Sequence, residues 1–157
     1  MDLFEAIEKR HVCRDFDPKK DVPEEMIEKL LKAGKRAPSS GGLDDRQFIV
    51  IRGLETKQKL DEARPHTQRF ALEDLPVVIA VVSDLDVLRE RFGDRGVNLY
   101  AAQNCAAATE NILLAATALE LGACWVGSFD DEKVKAALGL SGNVQPFVLI
   151  PVGYRQD

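Results

Sequence analysis

Two arginines stand four residues apart in the segment Arg10-His11-Val12-Cys13-Arg14, within a sequence whose formal net charge is -5. A guanidinium group presents a planar fork of N–H donors that can bond two oxygens of a phosphate at once. The segment therefore predicts an anchor for a phosphate group. The alternative is that its positive charges only neutralise the C-terminal end of a helix, where they are worth roughly 0.3 to 1 kcal/mol.

A loop of small residues, Ala37-Pro38-Ser39-Ser40-Gly41-Gly42, offers backbone N–H groups and two hydroxyls. Such a loop can lie against a planar heterocycle or an anion, because no bulky side chain keeps the ligand away. Proline, serine and glycine also simply end helices. Taken alone, the loop allows both interpretations.

A third segment, Trp125-Val126-Gly127-Ser128-Phe129, leads from a short apolar run to Asp130 and Asp131. It predicts a strand that turns through glycine toward the next helix, and a glycine there lets backbone approach a ligand closely. The alternative is a plain turn in which Asp130 caps the helix.

The elements that must position these segments follow from hydrophobic periodicity. The pattern predicts helices at 2–9, 23–36, 55–64, 94–121 and 131–138, and strands at 48–51, 76–82, 123–126 and 147–150. The predicted order is α-α-β-α-β-α-β-α-β. No linker, repeat or low-complexity tract divides the chain, so we expect one domain spanning residues 1–157.

The predicted helix at 94–121 is rich in alanine and leucine, lacks proline and carries apolar residues on most of its sides. At ~1.5 Å per residue it is about 40 Å long, as long as a domain of this size is wide. We expect a second copy of the chain to cover it, with Ala108 in the interface. A membrane span is the alternative, but Gln103, Asn104 and Glu110 interrupt any apolar window of membrane length.

Composition excludes several classes of function. A net charge of -5 argues against a sequence-independent nucleic-acid binder, which needs a basic face. No basic stretch followed by an apolar run opens the chain, so we expect a cytoplasmic protein. The three cysteines lie far apart without a CxxC pair or a histidine cluster, and they therefore predict neither disulfides nor a metal site.

Taken together, the order and spacing of these segments resemble the nitroreductase family of FMN enzymes. The resemblance covers nearly the whole chain through Arg10 and Arg14, then 30–40, 48–51, 75–79, 103–104, 122–129 and 151–154. It implies an α+β fold in which a central mixed β-sheet is flanked by helices. It also implies an interlocked homodimer built along a long central helix, with two FMN molecules held at the interface by both subunits.

The resemblance assigns FMN binding to a set of positions: Arg10, His11, Arg14, Pro38, Ser39, Ser40, Gly42, Gly127, Ser128 and Arg155. Arg10 and Arg14 match positions that hold the phosphate and ribityl region, and His11 between them contacts the flavin. Arg155, after the Gly-Tyr turn, is the candidate that completes the phosphate site.

The remaining positions surround the isoalloxazine ring. Pro38, Ser39 and Ser40 match the segment that lines the ring from the partner subunit. Gly127 and Ser128 match the backbone that approaches its reactive side.

The chain departs from the family pattern after the Pro-Ser-Ser segment. The usual asparagine and glutamine are Gly42 and Asp44 here, and the usual proline and tryptophan are Asp45 and Arg46. These departures bear on hydrogen bonding to the pyrimidine end of the flavin and on its redox potential. The Gly-Gly-Leu variant resembles relatives that oxidise peptide-bound azolines.

The resemblance implies an FMN-dependent oxidoreductase that transfers hydride from NAD(P)H through FMN to nitroaromatic, quinone or similar acceptors by a ping-pong mechanism. The cofactor performs this chemistry, so no side chain is assigned as an acid, base or nucleophile. Two alternatives stay open: a flavin carrier or sensor without reductase activity, and a flavin-free scaffold that uses the fold only to dimerise. The expected partners are a second copy, NAD(P)H and a small acceptor, without nucleic acid or membrane.

Overall fold

The computed structural model describes residues 1–65 and 70–156. Its helices are α1 Leu3–Lys9, α2 Glu24–Lys35, α3 Leu54–Glu62, α4 Leu85–Arg95, α5 Ala101–Ala118 and α6 Asp131–Leu138. Its strands are β1 Arg46–Ile51, β2 Val77–Asp84, β3 Gly122–Ala123 and β4 Val144–Gly153. A 3₁₀ turn at Ser40–Gly42 follows α2, and a π-helical segment at Gly96–Tyr100 joins α4 to α5. The α+β class expected from the sequence is confirmed.

The strands form a sheet in the order β1-β2-β4-β3. Arg46 pairs with Ser83 in the β1–β2 ladder, and Val77 pairs with Val152 in the β2–β4 ladder. Each ladder among the described strands is antiparallel. The sheet within one chain is therefore antiparallel rather than mixed, because β4 lies between β2 and β3 and runs opposite to both.

Strand β2 is buried on both faces of the sheet, since every residue from Val77 to Val82 is fully buried. Its odd-numbered side chains share a core cluster with Leu30 of α2 and Ile112 of α5. Its even-numbered side chains share a second cluster with Leu60 of α3 and Val134 of α6. The helices therefore cover the sheet on two sides, as the continuous β-branched run predicts.

The last strand is longer than the sequence predicts, and two prolines account for the difference. Proline cannot donate a hydrogen bond to a strand ladder, so Pro146 and Pro151 argue against a strand. In the structure, Pro146 lies at a shift of register opposite Val82, and the carbonyl of Pro151 accepts from the N–H of Cys124. Strand β3 is shorter than predicted and is followed by an isolated bridge between Val126 and Leu149.

Helical backbone runs from Asp94 to Ala118, close to the predicted long helix. A kink at Gly93, where φ is 58°, separates it from the first turns of α4, a helix that the sequence pattern missed. The hydrophobic pattern does not predict α4 because its sequence is mostly polar, with Leu88 as its one buried residue. Gly96 allows the kinked chain to pack closely, since a Cβ there would lie 2.5 Å from the carbonyl oxygen of Leu88.

The inner face of α5 belongs to the core of its own chain. Ala108 is fully buried there, so its expected place in an interface is wrong. The outer face carries the exposed or half-buried residues Ala102, Gln103, Ala106, Ala107, Glu110 and Leu114. None of the helices in residues 1–65 and 70–156 is both long enough and apolar enough to cross a membrane.

Candidate functional site

The basic segment from Arg10 to Arg14 leaves α1 in an extended conformation and runs beside β3. The N–H of Cys13 donates to the carbonyl of Ala123 across 3.0 Å. A Cβ on Gly122 would lie 2.5 Å from Cys13 Sγ, so this close approach requires glycine. The contact fixes the basic segment against the start of the strand–turn segment.

This packing forms a small cleft that unites two of the three segments singled out in the sequence. Its lining residues are Arg10, His11, Val12, Leu113, Thr117, Ala123, Cys124 and Trp125. Arg10 Nε lies 3.6 Å from Glu110 Oε1 on α5. Gly127 and Ser128 follow Trp125 at an exposed turn. A Cβ on Gly127 would make only ordinary contact with Trp125 Nε1, at 3.5 Å.

An adjoining cleft of about 460 Å³ shares His11 and Thr117 with the first. Its other lining residues are Met1, Lys9, Glu120 and Arg155. A hydrogen bond from Lys9 to Glu5 raises the pKa of Lys9 and keeps it cationic at neutral pH. Two basic side chains, Lys9 and Arg155, thus face this cleft.

Arg155 carries an unsatisfied donor. Its Nε is buried and has no hydrogen-bond partner within residues 1–65 and 70–156. A buried N–H without an acceptor costs about 1 to 3 kcal/mol, and such groups in native proteins call for an explanation. Because this N–H is shielded from solvent, Arg155 would bind an anion in the cleft through the outer nitrogens of its guanidinium group.

Arg14 faces a different cleft from Arg10. That cleft has a volume of about 490 Å³ and is lined by Arg14, Asp15, Phe16, Pro18, Phe70, Ala71, Asp74, Leu75 and Gln156. The two arginines of the basic segment are therefore not brought into one cleft. Arg14 does lie near the Cys124 thiol, whose pKa is raised by burial and lowered in part by the Arg14 charge.

The loop after α2 is held by its own hydroxyls. Ser40 donates from both its N–H and its Oγ to Asn104 Oδ1, each across 3.0 Å. Ser39 Oγ donates to the carbonyl of Leu43 across 2.7 Å. The open cleft beside the loop, of about 550 Å³, is lined by Lys35, Ala37, Pro38, Ser39, Gly42, Leu43, Asp44 and Arg46.

The loop and the basic segment lie at opposite ends of α5. Asn104, which holds the loop, and Thr117, which lines the basic clefts, are about 20 Å apart along the helix at ~1.5 Å per residue. Within one chain, the structure does not bring Pro38, Ser39 and Ser40 together with Arg10 and His11.

Sequence reasoning missed the role of Asp45, Ser83 and Asn104. Asp45 is fully buried and accepts from Ser83 Oγ at 2.6 Å and from Asn104 Nδ2 at 2.9 Å. The sequence signal was a charged pair, Asp45-Arg46, at the start of the apolar run of β1. A buried charge needs partners, but sequence alone does not say which residues supply them.

Arg46 holds the loop through hydrogen bonds to backbone carbonyls at its start. Its guanidinium donates to the carbonyl of Pro38 at 3.2 Å and to that of Ala37 at 3.1 Å. Asp45, through Asn104, and Arg46 therefore both hold the loop on the body of the protein.

The three thiols are poor nucleophiles at neutral pH. Burial raises the pKa of Cys105 to about 12 and raises those of Cys13 and Cys124. Since the thiolate is the reactive form, none of these side chains is suited to attack a substrate.

Comparison with known proteins gives a consistent result. The family model described as "Nitroreductase family" matches residues 7–68 and 63–154. A relative from Methanothermobacter thermautotrophicus, named "Putative NADH dehydrogenase/NAD(P)H nitroreductase", is 36% identical over 160 residues, covering 98% of this chain and 78% of the relative. A solved nitroreductase family protein from Clostridium novyi NT has a TM-score of 0.88 at 27% identity, covering 100% of this chain and 87% of its own. An FMN-dependent nitroreductase from Clostridium difficile R20291 has a TM-score of 0.82 at 25% identity, covering 98% and 88%.

The contact between the basic segment and β3 can be tested by adding a single methyl group. Gly122→Ala should lower the free energy of unfolding by about 1 to 3 kcal/mol, because its Cβ overlaps Cys13 Sγ. Cys13→Ala in the same chain should recover part of that loss, and denaturant unfolding of both variants measures the coupling. Gly127→Ala is the control, since its methyl group meets no close contact. Equal effects of Gly122→Ala and Gly127→Ala would contradict the packing described.

Proposed function

The chain belongs to the nitroreductase family, and we propose that it uses FMN to transfer hydride from NAD(P)H to nitroaromatic, quinone or similar acceptors. Family membership rests on the family model, which matches most of the chain, and on the 36% identical relative. The relatives' names support an NAD(P)H-dependent oxidoreductase. The FMN-dependent neighbour from Clostridium difficile supports the choice of flavin.

The observation that carries the proposal is that two basic side chains, Lys9 and Arg155, line one cleft, which shares His11 with a cleft lined by Arg10. Guanidinium groups are suited to bond the oxygens of a phosphate. Glu110 and Glu120 border the same clefts. The anion must therefore be held by direct hydrogen bonds rather than by a general excess of positive charge.

These residues fit FMN in other respects. The two clefts share His11 and Thr117, so Arg155 and Trp125 lie on either side of the same pair of residues. Gly127 and Ser128, just after Trp125, are exposed and offer backbone without a bulky side chain.

When bound, FMN supplies the chemistry of accepting a hydride and donating electrons. The protein's part is to bind and orient. Arg10, His11 and Arg155 would hold the phosphate and ribityl region, while Gly127 and Ser128 would leave room at the reactive side. Donor and acceptor would use one open cleft in turn, which gives ping-pong kinetics.

We further propose that two copies of the chain share each site. Helix α1 exposes large apolar side chains, with Phe4 81% and Leu3 61% accessible, and it packs against α5. Together with the small residues on the outer face of α5, they form an apolar surface of the kind that protein partners cover. A second copy on this surface could bring its loop of residues 38–42 to the basic clefts of the first. Within one chain the loop contacts α5 at Asn104, whereas the basic clefts contact it at Leu113 and Thr117, about 14 to 20 Å further along the helix, and this separation supports the arrangement.

Anaerobic mixing of the FMN-loaded protein with NADH or NADPH tests the proposed reaction. One of the two nucleotides should bleach the visible flavin absorbance far faster than it bleaches free FMN, and a nitroaromatic or quinone should restore it. Stopped-flow absorbance measures both half-reactions. Bound flavin that is reduced no faster than free FMN would favour a carrier or sensor, and a colourless protein that takes up no FMN would favour a flavin-free scaffold.

Charge-deleting substitutions locate the phosphate. Arg155→Gln and Arg10→Gln should each weaken FMN binding by about 1.5 to 3 kcal/mol, the usual worth of a hydrogen bond to a charged group. Arg14→Gln tests whether the arginine in the separate cleft contributes as the family resemblance implies. Arg89→Gln removes an exposed arginine on α4 and is the control. Flavin fluorescence titration measures the dissociation constants, and unchanged binding in Arg155→Gln would remove the main support for the site.

A charge on the exposed face of α1 tests the shared site. Phe4→Glu should convert the dimer to a monomer that has lost FMN, while the monomer stays folded because Phe4 is 81% exposed in one chain. Leu54→Glu, at a 57% exposed apolar position on α3, should leave the dimer and the flavin unchanged. Sedimentation equilibrium with simultaneous flavin absorbance measures both. A wild-type monomer that carries stoichiometric FMN would contradict the shared site.

A further inference from the structure

A chain of hydrogen bonds, buried at the sheet and partly buried at Ser40, runs from the sheet to the loop of residues 38–42. Ser83 Oγ donates to one oxygen of Asp45, and Asn104 Nδ2 donates to the other. Asn104 Oδ1 then accepts both donors of Ser40. Asp45 and Ser83 are fully buried, and Asn104 is 4% exposed. We refer to Ser83, Asp45, Asn104 and Ser40 as the polar relay.

The Asp45 carboxylate fixes which end of the Asn104 amide faces Ser40. An ionised carboxylate can only accept hydrogen bonds, so Asp45 requires the NH₂ end of the Asn104 amide to face it. The carbonyl end must then face Ser40, and both the N–H and the hydroxyl of Ser40 must donate to it. Because its only hydroxyl proton is used internally, Ser40 Oγ can accept a hydrogen bond from a ligand but cannot donate one.

Packing alone does not explain this arrangement. Replacing buried charged groups by apolar side chains of similar volume often leaves stability unchanged or raises it, so a buried carboxylate is weak grounds for a stabilising role. The relay instead selects one orientation of an amide that would otherwise have two. That orientation is transmitted to the loop through the two hydrogen bonds from Ser40 to Asn104 Oδ1.

The charges facing Asp45 are few among the described residues. Arg46 follows it in β1 and is engaged with the carbonyls of Ala37 and Pro38. Cys105 on α5 also senses Asp45, but burial raises its pKa to about 12 and keeps it neutral. The backbone N–H of Asp84 donates to the carbonyl of Asp45 across 2.7 Å.

We propose that Asn104 is the positioning residue of the flavin-lining loop, and that the buried carboxylate of Asp45 fixes its amide so that Ser40 is presented to the flavin as a hydrogen-bond acceptor. This inference rests on the FMN site proposed above. Asn104 and Asp45 act through Ser40 and the loop backbone rather than by touching the reacting atoms.

Exchanging the side chains of Asp45 and Asn104 tests whether the carboxylate orients the Asn104 amide. In Asp45→Asn, either two NH₂ groups face each other, or the new amide turns its NH₂ group to Ser83 and leaves the proton of the Ser83 hydroxyl without its acceptor. Turning the Asn104 amide over would relieve both conflicts, but it would take the Asn104 carbonyl away from Ser40, and the Ser40 N–H would lose its acceptor. In the double variant Asp45→Asn/Asn104→Asp, the amide now at position 45 can accept from Ser83 and donate to the carboxylate now at position 104. That carboxylate again accepts both donors of Ser40. Every hydrogen bond is restored with the negative charge one side chain nearer the loop.

Three measurements compare the single and double variants with the wild type. Hydrogen exchange of the Ser40 amide by NMR, in protein without flavin, should accelerate about ten-fold or more in Asp45→Asn and return toward wild type in the double variant. The FMN dissociation constant should rise about ten-fold or more in Asp45→Asn and recover in the double variant. The flavin reduction potential in the double variant should be lower than in wild type, because a nearer negative charge opposes addition of electrons.

Asn111→Asp is the matched control. Asn111 lies on the same helix, and its Nδ2 donates to the carbonyl of Ala33 across 3.1 Å. The same chemical change there removes a structural hydrogen bond and adds a charge, but it should leave Ser40 exchange and the FMN dissociation constant unchanged.

The inference would be overturned if the double variant did not recover the Ser40 exchange rate and the FMN affinity lost in Asp45→Asn. Ser40 exchange and FMN affinity that are unchanged in Asp45→Asn, or equally impaired in the single and double variants, would show that the relay does not orient the loop. A wild-type protein that takes up no FMN would overturn the proposed function, while Ser40 exchange would still decide whether Asn104 orients the loop. If Asp45→Asn does not fold, Asn104→Ala keeps the charge and removes the acceptor of both Ser40 donors. Its Ser40 exchange should rise, and unchanged exchange would count against the relay.

Discussion

Burial of β2 on both faces is the constraint on which the rest of the structure depends. A strand without a solvated face must be covered on two sides, and its continuous run from Val77 to Val82 leaves no polar position for water. Helices α2 and α5 cover one side, and α3 and α6 cover the other. The segments that carry the candidate site residues lie at the edges of this layered core. The loop of residues 38–42 lies at one end of α5, and the basic segment lies near the other.

Where β2 ends, the core changes from apolar to polar. Ser83 is fully buried, and its hydroxyl and the Asn104 amide satisfy the carboxylate of Asp45. A buried charge without partners would lower the stability of the fold. The charged residues here are tolerated because each has hydrogen-bond partners from a neighbouring element. The same hydrogen bonds hold the loop. The stability of the core and the shape of the loop therefore depend on one set of contacts.

The surface of one chain leaves two features unexplained. An apolar face on α1 and the outer side of α5 is exposed, and two basic side chains, Lys9 and Arg155, line one cleft. A second copy of the chain and a phosphate would explain them separately. Because the loop and the basic clefts contact different parts of α5, the proposed shared site would explain both with one arrangement.

The sequence by itself determined the positions of strands β1 and β2, the burial of β2, the helices with clear apolar faces and the family resemblance. It also predicted that β1 is buried, but β1 lies at the edge of the sheet and is only half-buried. Periodicity and β-branched runs carry that information locally. It did not reveal α4, whose sequence is polar, or the full length of β4, whose Pro146 and Pro151 argue against a strand. Only the tertiary structure decided that Ala108 is internal, that Arg10 and Arg14 face different clefts, and that Asp45 binds Asn104. Those facts depend on which side chains meet across elements distant in sequence, and the spacing of residues along one element does not determine them.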